Sequence, residues 1–352
     1  TALVICTPAA DTFAQSGIIS GMVQKAKAAS GTINDSQKLN SDVIADATLL
    51  TYLRGLTGKG DAATVKDLME TDTTAIVVPE GVTDLKGLGY ARGMVSLDLS
   101  NCVATEIRDS EFNGCSKLTD VQMTSKITKL GTQAFNNCSS LQNIDLSSVN
   151  TYGDSVFAGC SKLNDGSVAT MKDSVAEMGS GVFSGCKSIT EATVPVISGV
   201  NKNRVPARMF NNCEKLENVF FCDNSIQNIL DQAFSETGKL TFGADKSNKL
   251  PSTISSIGAS AFEGSKIASI DLGSTKVTKL KERTFCKAML YDESEDGSEV
   301  ASGIVLPTKL EEIGKEAFEE SHLQSITMPN TVTTLGTGAF KFAGNLLNVT
   351  LS

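Results

Sequence analysis

Nine cysteines, a single histidine and a short run of carboxylates are the residues of this 352-residue chain with the most distinctive chemistry. Thiolates with histidine partners hold zinc or act as nucleophiles, and facing cysteines form disulfides. Cys115, Cys138, Cys160, Cys186 and Cys213 each stand three residues after a phenylalanine, where other segments carry Thr237, Ser265, Ala288, Ser321 and Ala343. A place that accepts all of these asks only for a small side chain, so the cysteines read as a reduced, buried ladder. Rungs about 4.8 Å apart would bring neighbours within reach of a disulfide, so proximity alone leaves bridges open. A metal is disfavoured, because C-x-x-C spacing and histidine partners are missing. His322 follows Ser321 in a connecting loop with no nucleophile motif beside it, so it reads as a surface residue and not as a general base. Gly179, Gly181 and Gly185 lack the strand-then-helix setting of a dinucleotide loop. Asp292 to Glu299 places carboxylates at alternate positions with Gly297, as a calcium loop does, yet its twelfth place is Gly303 where a bidentate glutamate belongs. A solvated loop is expected there. The chain reads as a non-enzyme without cofactor or metal.

The elements that position these residues follow from the phenylalanines. Phe112, Phe135, Phe157, Phe183, Phe210, Phe234, Phe262, Phe285, Phe318 and Phe340 recur 22 to 33 residues apart. A period of that size means one supersecondary unit per repeat, stacked because no unit buries its own apolar face. Five residues before each phenylalanine stands an apolar residue, from Ile107 and Leu130 to Leu335, and four before it a glycine in six repeats, including Gly131, Gly153 and Gly179. This predicts a strand-like step and a tight turn in which glycine supplies positive φ. Thr132 to Phe135 would then make a single helical turn. After the phenylalanine the alternation Leu118-x-x-Val121-x-Met123, Leu141-x-x-Ile144-x-Leu146 and Leu216-x-x-Val219-x-Phe221 marks a strand with one buried face.

The full unit, Ile127-Thr-Lys-Leu130-Gly131-Thr-Gln-Ala134-Phe135-Asn-Asn-Cys138-Ser-Ser-Leu141-Gln-Asn-Ile144-Asp-Leu146, resembles the BspA-like subfamily of leucine-rich repeats. The resemblance covers residues 76–352, about eleven repeats. Val82 to Tyr90 followed by Leu97-Asp98-Leu99-Ser100 is similar to the first repeats of internalin-like surface proteins. The resemblance implies a right-handed repeat solenoid with one short strand per rung and short helical, 3-10 or loop segments opposite. It also implies a secreted or cell-surface bacterial protein acting in adhesion or host interaction. Ahead of the repeats, residues 15–75 read as a helical N-terminal cap. Stripes at Ile18, Ile19, Met22, Val23 and Ala26 and at Val43, Ile44, Ala47, Leu50 and Leu53 carry it, the second starting at Ser41 or Asp42 and stopping at Gly55. A third helix is expected over Ala62 to Glu70. Residues 1–14 read as the remnant of a secretory signal or an apolar arm.

Composition bounds the partners. Forty acidic against 31 basic residues give a formal charge of −9, without the basic stripe that phosphate backbones require, so nucleic acid is not expected. No apolar run of 18 residues marks a transmembrane helix. A protein or matrix ligand is expected instead, on the outward row of the strand face: Asp98, Gln122, Asp145, Thr193, Phe220, Thr241, Asp271, Val305, Thr327 and Thr350. Phe220, flanked by Thr193 and Thr241, is the candidate anchor, with Gln122, Asp145 and Asp271 along the same row. At the other end Leu346, Val349 and Leu351 complete a strand without a polar cap. Chain continuation, or end-to-end self-association through that rung, is expected to cover it. The competing class is a structural envelope spacer or the targeting appendage of a larger assembly.

Overall fold

The computed structural model describes residues 33–291 and 303–352. The signal-like segment, the Ile18–Ala26 stripe and the acidic tract at 292–299 lie outside the described residues. Nearly every repeat contributes to two sets of parallel strands, one before its phenylalanine and one after it; the Phe157 repeat has a helix in place of the second. The strand-like step expected before the ring forms the first, and the alternating strand expected after it forms the second. The first, built from two-residue strands, adds a strand to each rung. It runs as a four-stranded sheet from Glu106–Ile107 to Glu177–Met178 and as a six-stranded sheet from Arg204–Val205 to Thr334–Leu335.

Between the ladders the phenylalanines form one stack. Nine of the ten rings, Phe112 to Phe318, have no exposed surface. Successive ring centroids lie 5.2 to 5.9 Å apart in near-parallel planes from Phe112 to Phe340. The backbone around each ring is not the expected helical turn. The N–H groups of Ser110, Phe112 and Gly114 donate to the carbonyls of Thr132, Ala134 and Asn136 in the next rung at 2.8, 2.8 and 2.7 Å. Those of Glu111, Asn113 and Cys115 turn back to Arg108, Ser110 and Phe112. Alternate donors thus serve the neighbouring rung and their own turn, which leaves no buried amide orphaned in this segment. Positive φ at the second residue before and after the ring, as at Ser110 and Gly114 or Gln133 and Asn137, produces the alternation.

The glycine four residues before the ring therefore serves a different purpose from the one expected. Gly131 and Gly153 do not have positive φ. What demands glycine is contact with the rung below: a Cβ on Gly131 would lie 2.5 Å from the Asp109 amide nitrogen, and one on Gly153 2.5 Å from that of Thr132. The same place in the Phe210 repeat holds Pro206. Gly179 N–H donates to Tyr152 O and Leu230 N–H to Val205 O on either side of that repeat, but proline has no hydrogen to give. The ladder breaks there, between Glu177–Met178 and Arg204–Val205.

At the start of the solenoid, helix α1 (Ala47–Leu56) and helix α2 (Val65–Glu70) bury Leu49, Leu53, Val65 and Leu68 in the same core as the repeats. α1 begins later than the periodicity suggests. Val43 and Ile44 are buried in a turn closed by the Asn40 carbonyl, and Asp46 is the N-cap, accepting from Thr48 and Leu49 N–H. The other Asp46 oxygen accepts from Thr83 N–H at 2.9 Å and so ties the helix to the first rung. α2 starts at Val65 instead of Ala62 because Thr64 and Asp67 form a capping box. Glu111 strengthens the first rung in a similar way, accepting from Gly87 N–H at 2.8 Å and Gly89 N–H at 3.2 Å. In the last rung Leu335, Leu347, Val349 and Leu351 are exposed.

Candidate functional site

The strand face after the phenylalanines is where partner-binding residues were expected, and it is not one continuous sheet. Ala75–Val77, Ser96–Asp98, Asp120–Gln122 and Asn143–Ile144 form its first four strands. The Phe157 repeat then departs from the Leu-x-x-Ile-x-Leu pattern and supplies a short helix, α3 (Asp165–Ala169), where a strand would stand. Asn164 caps it, accepting from Ser167 N–H. Hydroxyls of α3 and its C-cap replace the missing strand's carbonyls: Ile144 N–H donates to Ser167 Oγ at 3.0 Å and Leu146 N–H to Thr170 Oγ1 at 2.8 Å. On its other flank the Asp165 carboxylate accepts from Thr190 N–H at 2.6 Å and Glu191 N–H at 3.1 Å. The helix thus splices two sheets while satisfying both edges, which closes strand edges that would otherwise invite pairing.

The splice opens a shallow hollow of about 350 Å³, lined among others by Asp120, Gln122, Asn143, Asp145, Ser167 and Thr170. Polar side chains cross it in relay. Asn143 Nδ2 donates to Asp120 Oδ1 at 2.6 Å, and Asn164 Nδ2 donates to Asn143 Oδ1 at 3.1 Å. Hydrogen bonds from Thr119 and then Asn143 hold the Asp120 carboxyl below its usual range, so it presents a charged acceptor. Gln122 and Asp145, both exposed, stand at this hollow.

Beyond the splice, Thr193 and Phe220 are direct neighbours in the register of Glu191–Val194 and Asn218–Phe221. Phe220 and Phe221 are both half-buried; Phe221 packs against the core and stacks on Phe242 at 5.9 Å, so strand alternation turns Phe220 to the other face. Thr241 does not flank Phe220 as expected. Its register partner is Asn218, whose Oδ1 accepts from Thr241 Oγ1 at 2.6 Å. The strand of the Phe234 repeat comes one place early: Phe242, eight residues after its ring, pairs with Val219, nine residues after Phe210, and Lys249 then bridges to Asp271. Asp271 therefore lies on a separate pair of strands, beside Val305. The six residues fall into a Gln122–Asp145 group, a Thr193–Phe220 pair, and Thr241 and Asp271 apart. Asp120, Asn143, Ser167 and Thr170 escaped sequence reasoning. The signal was present in Asn164-Asp165-Gly166-Ser167, a helix-capping run inside a repeat that should have been a strand.

The cysteine ladder has a use beyond smallness. Cys138, Cys160, Cys186 and Cys213 each donate Sγ–H to the carbonyl of the phenylalanine in the preceding rung, at 3.1 to 3.2 Å. Burial pushes the thiols at both ends of this file, Cys115 and Cys213, up to about 12. Such thiols carry no thiolate at neutral pH and are poor nucleophiles. All eight described cysteines are free. His322 is exposed. Among the described residues no group of three or more His, Cys, Asp or Glu is placed to hold a metal, and no helix is long and apolar enough to cross a membrane.

The model of the BspA type leucine-rich repeat region, a six-copy unit, matches residues 90–203, 167–248, 203–293 and 296–352. The chain belongs to this family. Comparison of the BspA-type chain with curated proteins found no match. Among solved structures it is similar to a leucine-rich repeat protein from Bacteroides ovatus at 21% identity, covering 78% of this chain and 86% of that one with a TM-score of 0.50. This likeness is one of fold. A leucine-rich cell surface protein from Faecalibacterium prausnitzii matches at 18% identity over 80% and 88% of the two chains, with a TM-score of 0.43. An internalin from Listeria monocytogenes matches at 13% identity over 88% and 96%, with a TM-score of 0.25. The last two superpose too loosely to carry an argument.

Proposed function

We propose that this BspA-type solenoid is a non-catalytic bacterial surface protein that engages a protein partner through its strand face. The observation that carries the reading is the pairing of a polar hollow at the α3 splice with a half-buried, outward aromatic at Phe220 two strands further on. Interfaces draw their energy from a few such aromatics within a polar surround. The chain has no tryptophan and only four tyrosines, so stacking on sugar rings is a weaker reading than contact with protein. One observation favours a spacer instead. The outward carboxylates of Asp98, Asp145 and Asp271 already accept from the N–H groups of Ser100, Ser147 and Gly273, which turns part of the row to local structure.

Binding of the purified chain to a panel of purified host surface and matrix proteins, followed by biolayer interferometry, separates the readings. Saturable binding that Phe220→Ser weakens by roughly 2 kcal/mol or more, with the melting temperature nearly unchanged, supports the binder. A large loss of stability in that variant would make Phe220 a core residue. Absence of saturable binding across the panel favours the spacer.

A further inference from the structure

The break in the first ladder leaves a second hollow, on the other set of strands from the α3 splice. Ser174–Val175 pairs with Val196–Ile197, and Gly199 N–H then takes the Ala176 carbonyl at 2.9 Å. The chain leaves the solenoid through Val200, 92% exposed, and returns at Arg204. Between the separated strands lies a space of about 330 Å³ whose lining includes Asp154, Glu177, Ser180, Asn201 and Arg204. That is the small end of the range for small-molecule sites.

Arg204 is under-satisfied in this setting. Its Nε is sealed from solvent without a hydrogen-bond partner. Its terminal nitrogens are neither sealed nor bonded among the described residues, and burial lowers its pKa with only the Asp154 charge opposing. A half-buried guanidinium with a sealed, unbonded Nε and no ion pair of its own is costly unless something supplies a contact. The rest of the ladder shows what is missing. At the first place of each two-residue strand, Lys129 pairs with Glu106 and Lys279 with Glu312 on adjacent rungs, both at 2.8 Å. Glu177 and Arg204 hold successive places in that same row, so a continuous ladder would make them the next such pair. Pro206 and the outward loop at Val200 hold them apart, with the half-buried cation inside and the exposed carboxylates of Glu177 and Asp154 at the rim.

We propose that this hollow binds a zwitterion of the α-amino acid type, its carboxylate on the terminal nitrogens of Arg204 and its ammonium towards Glu177 and Asp154. A ligand with both charges bridges the separated pair. A simple anion meets two carboxylates at the mouth, and a simple cation meets the arginine. The planar guanidinium suits the two oxygens of a carboxylate.

The test uses the whole chain labelled with nitrogen-15. It carries six arginines, so the Arg204 Nε–H resonance is assigned by its loss in Arg204→Gln. L-alanine, glycine, acetate, methylammonium and phosphate are titrated at constant ionic strength. The expected result is a saturable shift of that resonance with the two amino acids and a much smaller one with the others. By calorimetry, Glu177→Gln should bind alanine roughly tenfold more weakly and Arg204→Gln should not bind it measurably, since each removes one charge-assisted contact. An equal or larger response to acetate or phosphate would show a general anion pocket and overturn the proposal, as would no response to any ligand. A cooperative melt for Arg204→Gln close to that of the parent shows that its loss of binding is local; binding of alanine retained in that variant also overturns the assignment.

Discussion

Removing one ring from the phenylalanine stack is the most direct test of what holds the solenoid together. Phe135 has no exposed surface and stacks on Phe112 at 5.2 Å and on Phe157 at 5.6 Å. Phe135→Ala deletes a fully buried ring and leaves a cavity walled by two flat faces that cannot close around it, so the expected loss is about 3–5 kcal/mol. Phe340 is an internal control of the same chemistry. It is only partly buried and has one stacking partner, Phe318, at 5.2 Å, so Phe340→Ala should cost about half as much. Urea unfolding followed by far-ultraviolet circular dichroism measures both, since the chain has no tryptophan to report. Each repeat touches only its neighbours, so hydrogen exchange in the Phe112 to Phe157 rungs should show local opening even where the global midpoint moves little. Equal losses for the two variants, or a loss under about 1 kcal/mol for Phe135→Ala in both measurements, would refute the stack as the structural spine.

Other outcomes follow from the same packing. Gly131→Ala should lose about 1–3 kcal/mol through overpacking against the rung below, whereas Gly114→Asn, at a positive-φ place where Asn137 and Asn212 already stand, should melt within a degree or two of the parent. Cys138→Ala gives up a weak Sγ–H bond and should cost under about 1 kcal/mol, while Cys138→Leu should fail to give soluble folded protein; intact-mass measurement after thiol alkylation without reductant should find the ladder unbridged. Burial raises Glu111 to about 7, against the lesser pull of the Gly89 and Gly87 N–H groups. Because its folded pKa lies above its unfolded one, the contribution of this group is complete below about pH 4.5 and is lost as pH rises through about 7. Glu111→Gln should therefore flatten the decline in melting temperature between pH 5 and 8, and an unchanged decline would remove Glu111 as its cause.

Much of this protein was legible in one dimension because a solenoid makes sequence register and spatial register the same thing. The recurrence of phenylalanine dictated the stack, and the alternation after it dictated the strand face, since each repeat can bury its apolar side only against the next. The first residue of α1 was misread from periodicity. Val43 and Ile44 belong to the apolar stripe but pack from a turn, and only the Asp46 carboxylate decides where helical hydrogen bonding begins. The glycine before the ring in six repeats was correctly located and wrongly explained, because a backbone-to-backbone distance such as that from Gly131 to Asp109 is a property of two rungs and not of one segment. Pro206 in a glycine place and the capping run at Asn164 were both visible as departures from the repeat. That one opens a hollow beside a half-buried arginine, and that the other shifts Phe220 and Gln122 onto different sheets, depends on where each chain excursion goes in space, and tertiary packing alone determines that.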